Sequence, residues 1–408
     1  MQVVTNDARK VKVRKWTAGV AMAVLAFGAP TYAGAEEGMM EGLKGVTVTG
    51  YVEAQYNYNF NDPIDQTNAF RAFDYQANSF TFNMAELAFT KAAGDTPGFG
   101  LVLNYGQDAQ LTSSAGSMVS SSASTTTVTD STGALISDGS GGFVQATTET
   151  ETSTADDFDI QQAFITEKML GGGLELKFGK FATLAGAEVI EGPLNFNISR
   201  SYLFFYAIPF THTGLRGSFA TPVEGLSVTA GVNNGWDVVN DGDKGKTGEL
   251  QVAFAPMDML SLGLTGYYGP EASFTGTDAR SVVDLLATIK PMGGLTVVFN
   301  YDRGTQEDAS AAGSALWQGY AVYVNLPVGE KHAVTLRGEV FDDQDGFRTG
   351  VTQTLREVTL TGACKMKENL EWRLELRHDE SNQDVFVDDQ GAAEDAQNTI
   401  AVAAYYTF

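Results

Sequence analysis

Residues 370–378 read LEWRLELRH, and the alternation along this stretch decides the fold. Leu370, Trp372, Leu374 and Leu376 fall on one face of an extended chain, and Glu371, Arg373, Glu375 and Arg377 fall on the other. Successive side chains of a strand point to opposite sides, so the period of two reads as β-structure. One strand cannot separate a soluble sandwich from a membrane barrel. Repetition can. Leu295, Val297, Phe299 and Tyr301 oppose Thr296, Asn300 and Asp302; Val334, Leu336 and Val340 oppose Thr335, Arg337 and Glu339. Val358, Leu360, Cys364 and Met366 oppose Glu357, Thr359, Thr361 and Lys365, and Val46, Val48, Val52 and Tyr56 oppose Thr47, Thr49, Glu53 and Gln55. A charge-free face backed by a charged, watery one is the pattern of an outer-membrane barrel, whose outside is lipid and whose inside is polar.

The punctuation alternates too. Short connections fall at 91–98, 170–173, 221–225, 256–259, 291–294, 327–331 and 367–369, with longer polar stretches between them. Strands are expected near 46–58, 79–90, 99–107, 158–168, 174–181, 211–220, 226–236, 247–255, 260–268, 280–290, 295–303, 315–326, 332–341, 353–366, 370–379 and 398–408. The phase of the 79–90 strand slips at Glu86, which points to a bulge. The fold class is all-β: a transmembrane antiparallel barrel of about 16 strands, an even count with both chain ends on the short-turn side. The last strand alternates through Ile400, Val402, Ala404 and Tyr406 to a terminal Phe408.

Composition narrows the function classes. The chain has 408 residues and a formal net charge of −24, which argues against nucleic acid. One cysteine, Cys364, leaves no disulfide framework, multi-cysteine metal site or haem attachment. With only three histidines (His212, His332, His378), no catalytic constellation, metal site or cofactor is expected. Arg9, Lys10, Lys12, Arg14 and Lys15 precede the apolar core 18–29 and the small-residue site Ala33-Gly34-Ala35. Residues 1–35 therefore read as a secretory signal peptide, leaving 36–408 as the barrel. Removing that leader takes away five of the 26 basic and one of the 50 acidic residues, so the mature chain stands at −28.

Two connections stand out. Residues 111–155 are Ser/Thr-rich and low in complexity, which reads as a mobile surface loop. Residues 181–210, FATLAGAEVIEGPLNFNISRSYLFFYAIPF, break the alternation and carry Glu188, Glu191, Arg200, two prolines and an aromatic cluster. Pro193 is foreign to a central strand, and a loop of this length is usually functional.

From Val46 to Phe408 the sequence resembles the OmpL-like β-barrel porins of Gram-negative outer membranes. The likeness rests on GYVEAQYNYNF (50–60), AELAFTKAA (85–93) and above all KFGKFATLAGAEVIEGPLNFNISRSYLFFYAIPFTHTGLRGSF (177–219). It implies a membrane pore for passive diffusion of small hydrophilic solutes or ions. By position, 181–210 matches the third long loop of sixteen-stranded porins, which folds inward as a constriction. The resemblance further implies outer-membrane lipid, lipopolysaccharide and the barrel-assembly machinery as partners, with Phe408 as the assembly signal. Homotrimers are common among such porins, although no stretch here marks an interface.

Inside the barrel, Glu188, Glu191 and Arg200 are expected at the constriction, and Lys177, Arg216, Lys290, Arg337, Glu339, Glu371, Arg373, Glu375 and Arg377 on the lumen wall. Opposed charges across a narrow channel create a transverse field that selects among ions. The plainer alternative is that these groups pair across strands and satisfy one another. A different class of function stays open: an adhesin or receptor barrel with a plugged lumen.

Overall fold

The computed structural model describes residues 44–113, 120–127, 145–152, 157–241, 245–271, 278–291, 293–310 and 313–408; the signal peptide expected over 1–35 lies outside them. Sixteen strands form one closed sheet. They are β1 (Thr47–Asn59), β2 (Ser79–Lys91), β3 (Gly98–Tyr105), β4 (Phe158–Met169), β5 (Leu174–Ala182), β6 (Thr211–Ala220), β7 (Leu226–Asn233) and β8 (Thr247–Met257). The circuit continues through β9 (Leu260–Pro270), β10 (Ala279–Ile289), β11 (Thr296–Ser310), β12 (Gly313–Val328), β13 (His332–Asp343), β14 (Gln353–Lys367), β15 (Leu370–Ser381) and β16 (Ala396–Thr407). Each strand pairs antiparallel with its successor, and β16 closes on β1 in a register running from Tyr51 opposite Thr407 to Asn59 opposite Thr399. Closure leaves no sheet edge with unpaired backbone groups, the condition for a sheet to sit in hydrocarbon. The terminal Phe408 joins the seam by exchanging backbone hydrogen bonds of 3.0 Å with Gly50.

The alternation in the sequence is the alternation of the two faces. On β15, Trp372, Leu374 and Leu376 point outward and are 45–51% exposed, while Arg373, Glu375 and Arg377 point inward and are 2–3% exposed. The phase slip on β2 is real. Met84 lies opposite Glu53 and Phe82 opposite Ala54, so Asn83 is the extra residue of a bulge. A second bulge on β4 places Gln161 between the partners of Val102 and Leu103. In both places a polar amide is turned into the lumen and buried.

Within the Ser/Thr-rich connection, Ser120–Thr127 and Gln145–Thr152 pair with one another as a two-stranded sheet separate from the barrel. β-branched threonines suit extended backbone.

Candidate functional site in the barrel lumen

The inner wall of β13–β15 is organised in charge layers. Strand register sets Glu339 opposite Glu357, and Glu357 opposite Asp379; one row along, Arg337, Thr359 and Arg377 lie side by side. Like charges directly opposite destabilise a sheet. Here the acidic row is answered by the basic row beneath it: Arg337 meets Glu357 at 2.8 Å, and Arg377 meets Asp379 at 2.7 Å and Glu357 at 3.7 Å. Arg71 completes the neutralisation from a different segment, reaching Asp379 at 2.7 Å and Asp74 at 2.5 Å.

Residues 183–210 lie inside the barrel against this wall. The segment has little regular structure, only a 3-10 turn at Gly192–Leu194 and a π turn at Leu203–Ala207, so its backbone groups need partners elsewhere. The wall supplies them. Glu375 accepts the N–H groups of Ile198 and Ser199 at 2.6 and 2.9 Å, and Glu339 accepts those of Tyr202 and Leu203 at 2.7 and 2.6 Å. In the other direction, Arg373 donates to the carbonyls of Gly192 and Asn197 at 3.1 Å, and Arg377 to that of Arg200 at 2.7 Å. Across the lumen, Gly186 N–H reaches Asp284 at 3.1 Å and Ala187 N–H reaches Asn300 at 3.0 Å. Ile198 packs on Ala401, Ala403 and Tyr405 of β16, where the small alanines leave room for the segment. A Cβ at Gly192 would collide with the Glu53 carboxylate, so only glycine permits this approach.

Of the three charges expected at the constriction, two do not face open water. Glu188 is buried, paired with Arg337 at 2.8 Å and accepting Ser201 N–H at 2.7 Å. Arg200 is buried as well; it donates to the carbonyls of Val189, Ile190 and Ile198 and lies over the Phe73 ring at 5.0 Å. Their reading as pore-facing charges is corrected: both tie the segment to itself and to the wall. Glu191 stays half-buried and accepts a hydrogen bond from Gln161 at 2.8 Å.

The wall residues divide in the same way. Arg216 is buried in a bidentate pair with Glu249 at 2.6 and 2.9 Å, stacked over Phe181 at 4.2 Å. Lys177 is half-buried over the Phe164 ring at 4.2 Å, and Glu371, also half-buried, holds Arg373 at 2.8 Å. Lys290 is a correction: β10 ends at Ile289, so this lysine sits exposed in the short turn and not on the wall. His212 is buried, stacked on Tyr267 with centroids 4.7 Å apart, its Nδ1 at 3.1 Å from the Gly235 carbonyl.

The sequence reading missed a second occupant of the lumen, residues 60–78. Beyond the Arg71 pairs, the Phe73 carbonyl accepts Gln55 and Asn83 from β1 and β2 at 3.1 and 2.9 Å. The Phe73 ring meets Phe204 and Phe210 at 5.8 and 6.2 Å, so the two inner segments share one apolar cluster. The available signal was Arg71 and Asp74 set in an aromatic run, a charge pair in a stretch too apolar for a solvated loop.

Together with the short helix Gln107–Thr112, whose Asp108 accepts a hydrogen bond from Asn83 at 3.1 Å, the two segments cover much of the inner wall. Asn83, Gln161, Asp302, Arg337 and Thr359 are each 0% exposed, whereas a water-filled lumen would leave such groups wet. Toward the short turns the inward side chains Glu175, Lys177, Asn325, Lys365 and Glu371 become half-buried, so the lumen opens at that end. Sixteen strands alone would enclose an aqueous channel.

The family model described as "Putative beta-barrel porin-2, OmpL-like" matches residues 45–408. Among solved structures, outer-membrane expressed OmpT of Vibrio cholerae is similar at 11% identity and a TM-score of 0.55, covering 89% of this chain and 97% of that one. The anion-selective porin from Comamonas acidovorans is similar at 13% identity and a TM-score of 0.54, over 89% of this chain and 99% of that one. OprB of Pseudomonas putida is similar at 12% identity and a TM-score of 0.55, over 92% and 97%. At such identities the likeness speaks for the fold. No curated protein matches the sequence.

Proposed function

The chain belongs to the OmpL-like β-barrel porin family and is an integral outer-membrane porin, and from that premise we propose that residues 183–210 and 60–78 set its bore and restrict passage to small hydrophilic solutes and ions. The observation that carries this is the fully covered inner wall at the level of Arg337 and Thr359. Solutes move by passive diffusion, and the protein works as a channel, not a catalyst. Glu191, half-buried beside Gln161, is the constriction charge left to meet passing ions; Glu188 and Arg200 act as pins. The leader over 1–35 directs export, and Phe408 at the seam serves assembly. Lipopolysaccharide surrounds the long-loop rim. One structure of OmpT from Vibrio cholerae is described as a trimer form, and a homotrimer is proposed here by analogy.

The same filling favours a second reading, a plugged receptor or adhesin barrel. Single-channel recording in planar bilayers separates the two. Small, steady conductance steps are expected for a narrow porin, while a bilayer that stays silent at high protein load would leave only the plugged barrel standing.

A further inference from the structure

At the long-loop end of the lumen two arginines lie against one indole. Arg280 is on the inward phase of β10, with its guanidinium carbon 4.8 Å from the Trp236 ring centroid. Arg348, in the connection between β13 and β14, lies 4.7 Å from the same centroid and 5.4 Å from that of Trp317. The two guanidinium carbons are therefore no more than about 9.5 Å apart, the sum of the two centroid distances. Each side chain is anchored through Nε alone, Arg280 to Gln306 Oε1 at 2.8 Å and Arg348 to the Tyr206 carbonyl at 2.5 Å. Among the described residues, the terminal nitrogens of both meet no acceptor, and no carboxylate lies within ion-pair distance of either.

The nearby acids are engaged elsewhere. Glu271 accepts Trp236 N–H at 3.0 Å, Asp237 accepts the N–H groups of Phe210 and Thr211 at 2.7 and 2.8 Å, and Asp343 accepts those of Arg348 and Thr349 at 2.9 and 2.6 Å. Two half-buried cations held close together without direct counter-ions are costly. The Arg348 guanidinium is pushed down to about 10, by burial first and then by Arg280. A stacked guanidinium keeps its in-plane N–H edge open, which is the edge that takes a carboxylate or phosphate in a forked pair. A cleft lined by Arg280, Trp236, His212, Tyr267 and Glu271 adjoins the Arg280 guanidinium; the Glu271 carboxylate in it is occupied by Trp236 N–H and the Thr247 hydroxyl at 3.0 and 3.2 Å.

We propose that Arg280 and Arg348 form an oxyanion-binding site at the outer mouth, which takes a small solute bearing a carboxylate or phosphate before it enters the narrow zone. Because both side chains lie among lumen-facing groups, the ligand is a solute and not a lipid headgroup. The physiological meaning rests on the porin reading, but binding is measured without conduction, so the two can fail separately.

The test is intrinsic tryptophan fluorescence of the full folded barrel in detergent, titrated at constant ionic strength with inorganic phosphate, benzoate or chloride. Trp236 and Trp317 report on the site directly. A saturable change with phosphate or benzoate, absent with chloride, is expected, and Arg280→Gln with Arg348→Gln should weaken it roughly tenfold or more, as the loss of charge-assisted hydrogen bonds requires. Arg280→Lys with Arg348→Lys keeps the charges but not the forks and should retain part of the affinity; it also serves if the glutamine variant does not fold. Solubilised lipopolysaccharide should not compete. Chloride matching phosphate and benzoate, undiminished binding in the glutamine variant, or competition by lipopolysaccharide would each overturn the proposal.

Discussion

The two faces of β15 answer to different surroundings. Outward, Trp372, Leu374 and Leu376 meet only hydrocarbon, and any apolar side chain would serve as well. Inward, Arg373, Glu375 and Arg377 each hold particular backbone atoms of 183–210, at separations near 180 residues in sequence. An outward substitution therefore matters for its polarity alone. An inward one matters for the partner it strands.

Arg337→Leu should show the largest effect, because it leaves Glu188 buried without its cation and Glu357 with only the 3.7 Å contact to Arg377, a loss of about 3–5 kcal/mol. Arg356 offers the contrast: it lies outward, half-exposed, in a 3.6 Å pair with Glu380, and its leucine variant should change stability by about 0–1 kcal/mol. Urea unfolding of lipid-reconstituted protein measures both, and equal shifts would break the comparison between faces.

Next in size is the polarity test on the outward face. Leu374→Arg should reduce assembled barrel through a cost of about 2–4 kcal/mol. Arg373→Leu, its inward neighbour, should still assemble while releasing the carbonyls of Gly192 and Asn197, so that conductance rises. Heat-modifiable gel migration reports assembly. If both variants fail to assemble alike, the inward face is as intolerant as the lipid face and the distinction collapses.

Tyr202→Phe removes one hydrogen bond of 2.5 Å to Asp379 and should cost about 1.5–3 kcal/mol, the range for bonds to charged groups. An unchanged unfolding midpoint would mean that the segment is held by its backbone contacts alone.

The smallest effect concerns pH. Burial raises the Asp237 carboxyl to about 6, outweighing the hydrogen bonds it accepts from Thr211 and Phe210. A carboxyl raised in the folded state favours folding while it is protonated; that contribution is complete below the unfolded value and is lost as pH rises through about 6. Asp237→Asn has no such loss, so its stability relative to wild type should grow between about pH 4 and 6 and then level. A difference that is flat across this range would show that Asp237 is not penalised by burial.

How much of this was legible in the sequence follows from the same comparison. Lipid imposes one rule on every outward position, so period-two alternation revealed all sixteen strands, and even the bulge at Asn83 left a phase slip at Glu86. The lumen imposes no uniform rule. Glu188 and Arg200 look like pore charges because nothing local shows that Arg337 and the carbonyls of 189, 190 and 198 will consume them. That 181–210 is a long connection and not a strand was legible from its broken alternation and Pro193; its partners were not, because they depend on barrel closure. Residues 60–78 escaped notice for a related reason. Their single charge pair, Arg71 with Asp74, acquires meaning only beside Asp379.

Single-channel conductance tests the central claim most directly: wild type beside a variant in which residues 185–208 are replaced by a short Gly-Ser bridge, both refolded and inserted into planar bilayers. Small steady steps are predicted for wild type and steps several-fold larger for the bridged variant, since the wall once covered by the segment would then face water. Equal conductance in two properly folded barrels would contradict the claim that this segment sets the bore.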